Sequence, residues 1–279
     1  MKIDILNNFK RKFQKIILFN KAIKLIISNH INNFIYKEHL PIDLRQDDLY
    51  VVEFPKSGIT WLTFILVNIY LTMNNSKKFI TFFNYPFFIC EKNYEKFNNS
   101  EMRSRIIKSH SHYNPYYSVV IYLLRNPFDV MVSYYNFTIN LSGYKGDFFK
   151  FVKSKKYGIQ SWKEHVISWI KVTDQSKRIH ILRYEDLLKN TYEEIKNIVT
   201  NLGLVIDDSI IKQAIEQSSI ENMKKTEEFY RKHSPNYTVS FIGKEGKIPK
   251  EKLLTDDIKQ YILKETEDIL ERFYPELLK

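Results

Sequence analysis

The sequence predicts an α/β domain in which helices flank a central, mostly parallel sheet. Short runs rich in valine and isoleucine alternate along the chain with longer helical segments, and no repeat or Pro/Gly/Ser-rich linker separates them. This alternation is typical of a parallel sheet covered by helices. The 279 residues suit one large domain or two small ones, and the 44% of hydrophobic residues exclude a disordered chain.

Four strands and the helices between them make up the predicted sheet. The strands are the apolar runs at residues 49–54, 105–108, 119–124 and 179–183. The helices are expected at residues 60–73, from 127 to about 136, and after Asp186. Ser57 or Thr60 is expected to cap the first helix, and Pro127 suits the first turn of the second. Ligands bind beyond the carboxyl ends of such strands, so the expected site comprises the loops at 55–60, 108–112 and 125–127.

The charge and the cysteine content restrict the partners. The formal net charge of +11 favours anionic ligands, but the lysines are scattered, which favours a solvated surface with an anion-binding cleft over a nucleic-acid-binding element. The single Cys90 excludes an internal disulfide and a cysteine-rich metal site, and it is consistent with a cytoplasmic location. The sequence contains no run of 18 or more apolar residues, so no segment is predicted to span a membrane.

Residues 1–48 are expected to form an amphipathic helical extension that precedes the main domain at 49–279. In the first 29 residues, lysines and arginine alternate with apolar residues at helical spacing. A stripe of this kind packs on the domain or lies on an anionic membrane surface, and both alternatives stay open. Lysines within the apolar stretch and the lack of a small-residue cleavage site argue against a signal peptide.

The loop after the first strand has the composition of an anion cradle. Lys56, Ser57 and Gly58 stand between a strand and a helix start, where backbone N–H groups lack helical partners. Lys56 adds a charge, while Ser57 and Thr60 add hydroxyl donors. The G-x-x-x-x-G-K-[ST] spacing of a Walker A loop is missing, which disfavours a P-loop kinase. In the alternative interpretation the two hydroxyls only cap the helix.

Two further motifs end at the same edge of the predicted sheet. His110 follows the second strand, and histidine is the side chain best suited to take a proton near neutral pH. Arg125 ends the third strand and Ser133 lies two helical turns later, so a guanidinium and a hydroxyl can bind one phosphate together. The alternatives are a solvent-facing histidine and an ion pair between Arg125 and Asp129.

Together these motifs resemble those of the cytosolic-type sulfotransferases that use 3′-phosphoadenosine-5′-phosphosulfate (PAPS), a family with bacterial members. The family's PKSGTTW loop is similar to residues 55–61, with Ile59 in place of the first Thr, and its K-[ST]-H element is similar to residues 108–110. Residues 124–135 resemble its 3′-phosphate motif. Residues 244–252 stand where the family has RKGxxGDWK, but here the GDW is missing.

The resemblance implies a P-loop-like three-layer fold and transfer of a sulfuryl group from PAPS to a hydroxyl or amine of a small-molecule acceptor. It implies an in-line displacement in which His110 takes the acceptor proton, Lys56 neutralises the leaving oxygen and Lys108 holds the sulfuryl oxygens. The product nucleotide is 3′-phosphoadenosine-5′-phosphate (PAP), and no metal is required. The residues expected to bind the nucleotide are Lys56, Ser57, Gly58, Thr60, Trp61, Arg125, Ser133, Tyr184, Ser219, Lys244 and Gly246.

The acceptor stays open at this point. Phe87, Phe88 and Tyr113 are the expected acceptor-binding residues, although phenylalanine clusters are also typical of a core. A lipid, a phenol, a sugar or a specialised natural product would fit an aromatic pocket. No nucleic-acid partner is expected, and a basic binding protein for nucleic acid or membrane is the alternative from another class of function. The family's C-terminal dimer segment is not recognisable, so the oligomeric state is open.

Overall fold

The computed structural model describes residues 44–74, 80, 105–141, 143–173, 178–233, 242 and 247–278. Almost all of them belong to one compact unit, residues 45–113 and 117–279. The predicted extension lies almost entirely outside the described residues, as do Phe87, Phe88, Lys244 and Gly246. No helix among the described segments is long and apolar enough to cross a membrane.

The described strands form one parallel sheet. They are β1 (Leu49–Glu53), β2 (Ile106–Ser109), β3 (Val119–Leu124) and β4 (Ile179–Arg183), in the order β2-β1-β3-β4. β1 pairs with β2 on one side and with β3 on the other, so that Val51 lies opposite both Lys108 and Ile121. Strand order therefore reverses between β1 and β3, and the crevice beyond their carboxyl ends is where such sheets bind ligands.

Helices follow each strand except β2. They are α1 (Ile59–Met73), α2 (Pro127–Leu141), α3 (Phe148–Val152), α4 (Ile159–Thr173), α5 (Tyr184–Lys189), α6 (Thr191–Asn201), α7 (Asp208–Gln217), α8 (Ile220–His233), α9 (Lys250–Leu253) and α10 (Asp256–Phe273), with a 3₁₀ turn at Pro275–Leu277. The first helix begins within one residue of its predicted start, whereas α2 continues five residues past its predicted end.

Helices cover both faces of the sheet because successive strand side chains point in opposite directions. On one face Ile121 and Leu123 are buried in a cluster with residues of α1, α6 and α7. On the other face Tyr122 stacks on Trp169 of α4, with ring centres 5.6 Å apart. Trp162 and Trp169 are both fully buried. The predicted α/β fold with helical layers on both sides of a parallel sheet is therefore confirmed.

A buried ion pair fixes the opposite edge of the sheet, where the strands begin. Arg105 donates from Nε and Nη2 to the two carboxylate oxygens of Asp48, at 2.7 and 2.6 Å. The two side chains are only 3% and 0% exposed. Ser118 donates to the backbone oxygen of Asp48 at 2.6 Å. These bonds join the residues that precede β1, β2 and β3, and so hold the three strands in register.

Candidate active site

The loop between β1 and α1 (residues 54–58) turns through two residues with positive φ, +76° at Lys56 and +115° at Gly58. A Cβ at position 58 would lie 2.5 Å from Cδ2 of Tyr184, so both the backbone and the available space require glycine. The predicted side-chain cap of α1 is wrong. The N-cap residue is Gly58, without a side-chain cap bond, and Ser57 Oγ instead donates to the backbone oxygen of Phe54 at 2.8 Å.

A buried carboxylate that the sequence motifs did not indicate supports this loop. Glu53, the last residue of β1, is 2% exposed. Its Oε1 accepts the N–H of Lys56 at 3.1 Å, and its Oε2 accepts the N–H of Ile59 at 2.6 Å. Burial raises the pKa of Glu53 to about 7, although the N–H of Ile59 and the charges of Lys56 and Arg125 act against this rise. An acidic residue at the end of an apolar strand was the available signal.

Lys56 projects from the same loop in a partly buried position. Its Nζ lies 4.4 Å from the centre of the Phe137 ring, in a cation–π contact. Burial lowers the pKa of Lys56 to about 8, while the Glu53 carboxylate raises it and the charges of Lys247 and Arg125 lower it further. The ammonium group of Lys56 is therefore partly buried and lies in the electrostatic field of two other cations, Lys247 and Arg125.

Arg125 connects the end of β3 to this loop. Its Nη1 donates to the backbone oxygen of Lys56 at 3.2 Å, and its guanidinium carbon lies 4.4 Å over the ring of Tyr184. Its Nε is buried without a hydrogen-bond partner among the described residues. Among the described residues Asp129 forms its ion pair with Lys250 and not with Arg125, although the charge of Arg125 helps to lower the pKa of Asp129. Arg125 is partly buried, and its unused donor is available to an anion.

Two aromatic rings complete this side of the site. Trp61 meets Tyr184 edge to face, with ring centres 6.1 Å apart. The indole Nε1 of Trp61 donates to the backbone oxygen of Ser218 at 3.1 Å, next to the predicted Ser219. Ser219 Oγ accepts the N–H of Asn222 at 3.3 Å in the first turn of α8. The predicted Ser133 is partly buried on α2.

His110 approaches the loop from the end of β2. Its Nδ1 lies 3.1 Å from the backbone oxygen of Glu53. A carbonyl oxygen only accepts, so Nδ1 carries the proton and Nε2 is the basic nitrogen. Burial lowers the pKa of His110, and the charges of Lys108 and Lys56 act in the same direction. More than a third of the residue is exposed to solvent, which moderates the lowering of the pKa without reversing its direction.

A second histidine orients the first. His165 Nε2 lies 3.1 Å from the backbone oxygen of His110, and its Nδ1 lies 2.9 Å from the hydroxyl of Tyr122. The carbonyl must accept, so Nε2 donates to it and Nδ1 accepts from the tyrosine. Burial lowers the pKa of His165 to about 3, which keeps it neutral in this chain of bonds. Lys108 on β2 is also buried.

The structure therefore brings some of the predicted site residues into direct contact and leaves others apart. The structure joins the 54–58 loop, Arg125, Tyr184 and Trp61 through direct contacts. His110 contacts the backbone of Glu53, the residue before this loop. Tyr113, predicted at the acceptor, packs edge-on against Trp169 with ring centres 5.5 Å apart, and its N–H donates to Ser168 at 3.0 Å.

The part of the 244–252 segment that the structure describes is fixed to α2. Buried Asn136 accepts the N–H of Ile248 at 2.7 Å and donates to the oxygen of Ile248 at 3.1 Å. The neighbouring Lys247 is partly buried, and its charge acts on Lys56 while that of Arg125 acts on it. Lys247 is a cation that the motifs did not single out.

Comparison with known proteins identifies the family. Residues 46–279 match the family model described as the sulfotransferase domain. The chain belongs to the sulfotransferase family. Human Sulfotransferase 1E1 is 32% identical to this sulfotransferase over 214 residues, which cover 70% of each chain. The enzyme class predicted from the sequence is thus confirmed.

Solved structures share the fold of this sulfotransferase. A mouse sulfotransferase complexed with PAP superposes with a TM-score of 0.59 at 22% identity, covering 82% of this chain and 86% of the mouse chain. A retinol dehydratase in complex with androsterone and PAP gives a TM-score of 0.60 at 20% identity, covering 82% of each chain. At these identities the likeness supports the three-layer fold.

Proposed function

We propose that this sulfotransferase transfers a sulfuryl group from PAPS to a hydroxyl or amine of a small-molecule acceptor by in-line displacement. The observation that carries the proposal is the direct contact between the 54–58 loop and Arg125, whose buried Nε lacks a partner among the described residues. PAPS carries two separated phosphate groups. One loop rich in N–H groups and one guanidinium beside it offer a binding element for each group.

The residues present fit such a nucleotide. Lys56, Ser57, Gly58 and Thr60 would bind the 5′-phosphate group, because the left-handed turn at position 58 leaves no side chain between ligand and backbone. Arg125 and Ser133 would bind the 3′-phosphate, assisted by Ser219, Lys244 and Gly246. Trp61 and Tyr184 would flank the adenine, a contact worth roughly 1–3 kcal/mol by analogy with other base–aromatic contacts.

His110 would take the acceptor proton. Its Nε2 is the basic nitrogen, and its lowered pKa keeps the ring neutral and ready to accept a proton at physiological pH. A general base of this kind contributes roughly 10²–10⁴ in rate. Lys56 would stabilise the negative charge that develops on the leaving oxygen, and Lys108 would hold the sulfuryl oxygens.

For the acceptor we propose a chemical class. Retinol dehydratase was solved with androsterone, which supports an apolar small molecule with a hydroxyl. We propose that Phe87 and Phe88 contribute to its binding, with Tyr113 at the edge of the site. A cytoplasmic location, residues 1–48 as a separate extension and a peripheral membrane contact through that extension are further proposals.

Calorimetry with PAP and, separately, with ATP–Mg²⁺ tests the nucleotide. We expect binding of PAP and weakening by roughly 10- to 150-fold in Arg125→Ala, the loss of a charged hydrogen bond. Arg183→Ala is the matched control, because Arg183 ends the neighbouring strand and its Nε is likewise buried without a hydrogen bond among the described residues, but its charge is already paired with Asp186 and Glu276. Binding of ATP–Mg²⁺ in preference to PAP, or no binding of PAP at all, would refute the proposed function.

Turnover with labelled PAPS and an acceptor library tests the chemistry. His110→Ala should abolish turnover and leave PAP affinity nearly unchanged, because the ring of His110 binds the backbone oxygen of Glu53 and is proposed to act on the acceptor, not on the nucleotide phosphates. Full activity of this variant would remove the general-base assignment. The acceptors that become labelled would identify the substrate class.

A further inference from the structure

The loop that is proposed to bind the 5′-phosphate already holds an internal anion. Both carboxylate oxygens of Glu53 accept loop N–H groups, from Lys56 at 3.1 Å and from Ile59 at 2.6 Å. Ile59 is the first residue of α1, so its N–H is among those that ordinarily bind anions at the beginning of a helix. The side chain of Glu53 is 2% exposed, so water does not screen its charge.

The groups around Glu53 offset part of the cost of burying its charge in the unliganded protein. Lys56 from the loop and Arg125 from the end of β3 supply two positive charges. On β3, burial and, to a lesser extent, the Glu53 carboxylate raise the pKa of Tyr122, and just after β2 the ring of His110 donates to the backbone oxygen of Glu53. A nucleotide would bind the same two cations, which would leave a second, buried negative charge with weakened compensation.

We propose that Glu53 is a positioning residue that shapes the loop in the absence of nucleotide and takes up one proton when the 5′-phosphate binds. The proton comes from solvent and enters at Oε1, the charge of the side chain changes from −1 to 0, and the N–H of Lys56 is released to the ligand. This inference rests on the proposed function.

The electrostatics of the site agree with this sequence of events. Burial raises the pKa of Glu53 to about 7 even though Lys56 and Arg125 act against the rise. When those cations face a phosphate, the pKa of Glu53 rises further. The complex then binds more protons than the free protein, so nucleotide affinity falls as pH increases above about 7, by up to about tenfold per pH unit.

The test counts the protons taken up when PAP binds to the full chain. Calorimetry at about pH 8 in two buffers of different ionisation enthalpy gives this number. Because Lys56 also titrates near this pH, the compared proteins are Lys56→Arg and the double variant Lys56→Arg/Glu53→Gln. Glutamine keeps an oxygen for the N–H of Ile59 but carries no charge. The phosphates of PAP themselves titrate near pH 6 and contribute equally to both proteins.

We expect close to one proton more per PAP in Lys56→Arg than in the double variant, and an affinity that falls about tenfold over the next pH unit only in the former. Infrared difference spectra of the wild type should gain a protonated-carboxyl band on addition of PAP. Glu53→Asp should shift this band, which keeps the test available if Glu53→Gln does not fold.

The outcomes separate the two proposals. PAP binding with equal proton uptake in the two proteins, or without a new carboxyl band in the wild type, would overturn the role of Glu53 and leave the proposed function intact. Failure of the wild type to bind PAP would overturn the proposed function itself. A purely structural role of Glu53 would change stability but not the proton count.

Discussion

Gly58→Ala tests the packing of the loop against Tyr184. The alanine Cβ would lie 2.5 Å from Cδ2 and 2.6 Å from Cε2 of that ring, and the backbone at position 58 has φ +115°. The left-handed conformation costs a residue with a Cβ roughly 1–2 kcal/mol. Displacement of a packed ring adds roughly 1–3 kcal/mol. We therefore expect the free energy of unfolding to fall by about 2–5 kcal/mol.

The same change should weaken nucleotide binding. The ring of Tyr184 carries the Arg125 guanidinium at 4.4 Å and meets Trp61, so its displacement disturbs both proposed contacts with the nucleotide. A cation–π contact of this kind is worth roughly 0.5–2 kcal/mol. We expect PAP affinity to fall by about 2- to 30-fold, measured by calorimetry, while urea denaturation measures the stability.

Gly203→Ala is the matched control. Gly203 has φ +73°, but nothing lies within 4 Å of the position that its Cβ would take. It should lose only the backbone contribution, roughly 1–2 kcal/mol, and keep its PAP affinity. In a Tyr184→Ala background, Gly58→Ala should also show only the backbone contribution, a coupling that a double-mutant cycle measures. Equal losses of stability in Gly58→Ala and Gly203→Ala would refute the packing argument.

Three further changes test other parts of the molecule. Arg105→Met leaves the buried Asp48 carboxylate unpaired and should lower the free energy of unfolding by about 3–5 kcal/mol in urea, whereas Arg105→Met with Asp48→Leu should recover most of this loss. His165→Phe removes the donor to the backbone of His110; kcat should fall about tenfold and the pH profile of kcat/KM should shift, with PAP affinity retained. Because burial raises the pKa of Glu53 from 4.5 to about 7, its contribution to stability is complete below pH 4.5 and is lost as pH rises through 7. Thermal or urea unfolding measures this effect. Relative to Glu53→Gln, the free energy of unfolding of the wild type should fall by up to about 3 kcal/mol from pH 4.5 to 7.5. A difference between the two proteins that does not change with pH would contradict this prediction.

The sheet was predictable because the pattern that indicates each strand lies within a few consecutive residues. β1 and β3 are mostly apolar runs buried on both faces, and the predicted limits at 119–124 and 179–183 agree with the structure to the residue. The end of α2 was not predictable in this way. Asn136 suggests a helix end, but its amide donates to the backbone oxygen of Val132 and binds Ile248, so the helix continues to Leu141.

The site was predictable where a motif carries its own chemistry and unpredictable where distant segments meet. Lys56, His110 and Arg125 lie in short motifs whose residue types suggested the chemical roles proposed above. The clamp between Asn136 and Ile248 joins residues 112 positions apart, and the contact of Gly58 with Tyr184 depends on two loops that only the folded sheet brings together. Glu53 was not predicted as a site residue because a glutamate at the end of a strand is ordinarily exposed to solvent.

The distribution of the three tryptophans gives the protein an intrinsic optical probe. Trp162 and Trp169 are fully buried behind the sheet, whereas the partly exposed indole of Trp61 stands beside Tyr184 at the proposed adenine position. A dissolved quencher such as iodide can therefore reach the emission of Trp61 and not that of the other two. Occupancy of the cleft can be followed in solution without a label, through one residue that the fold itself has left accessible.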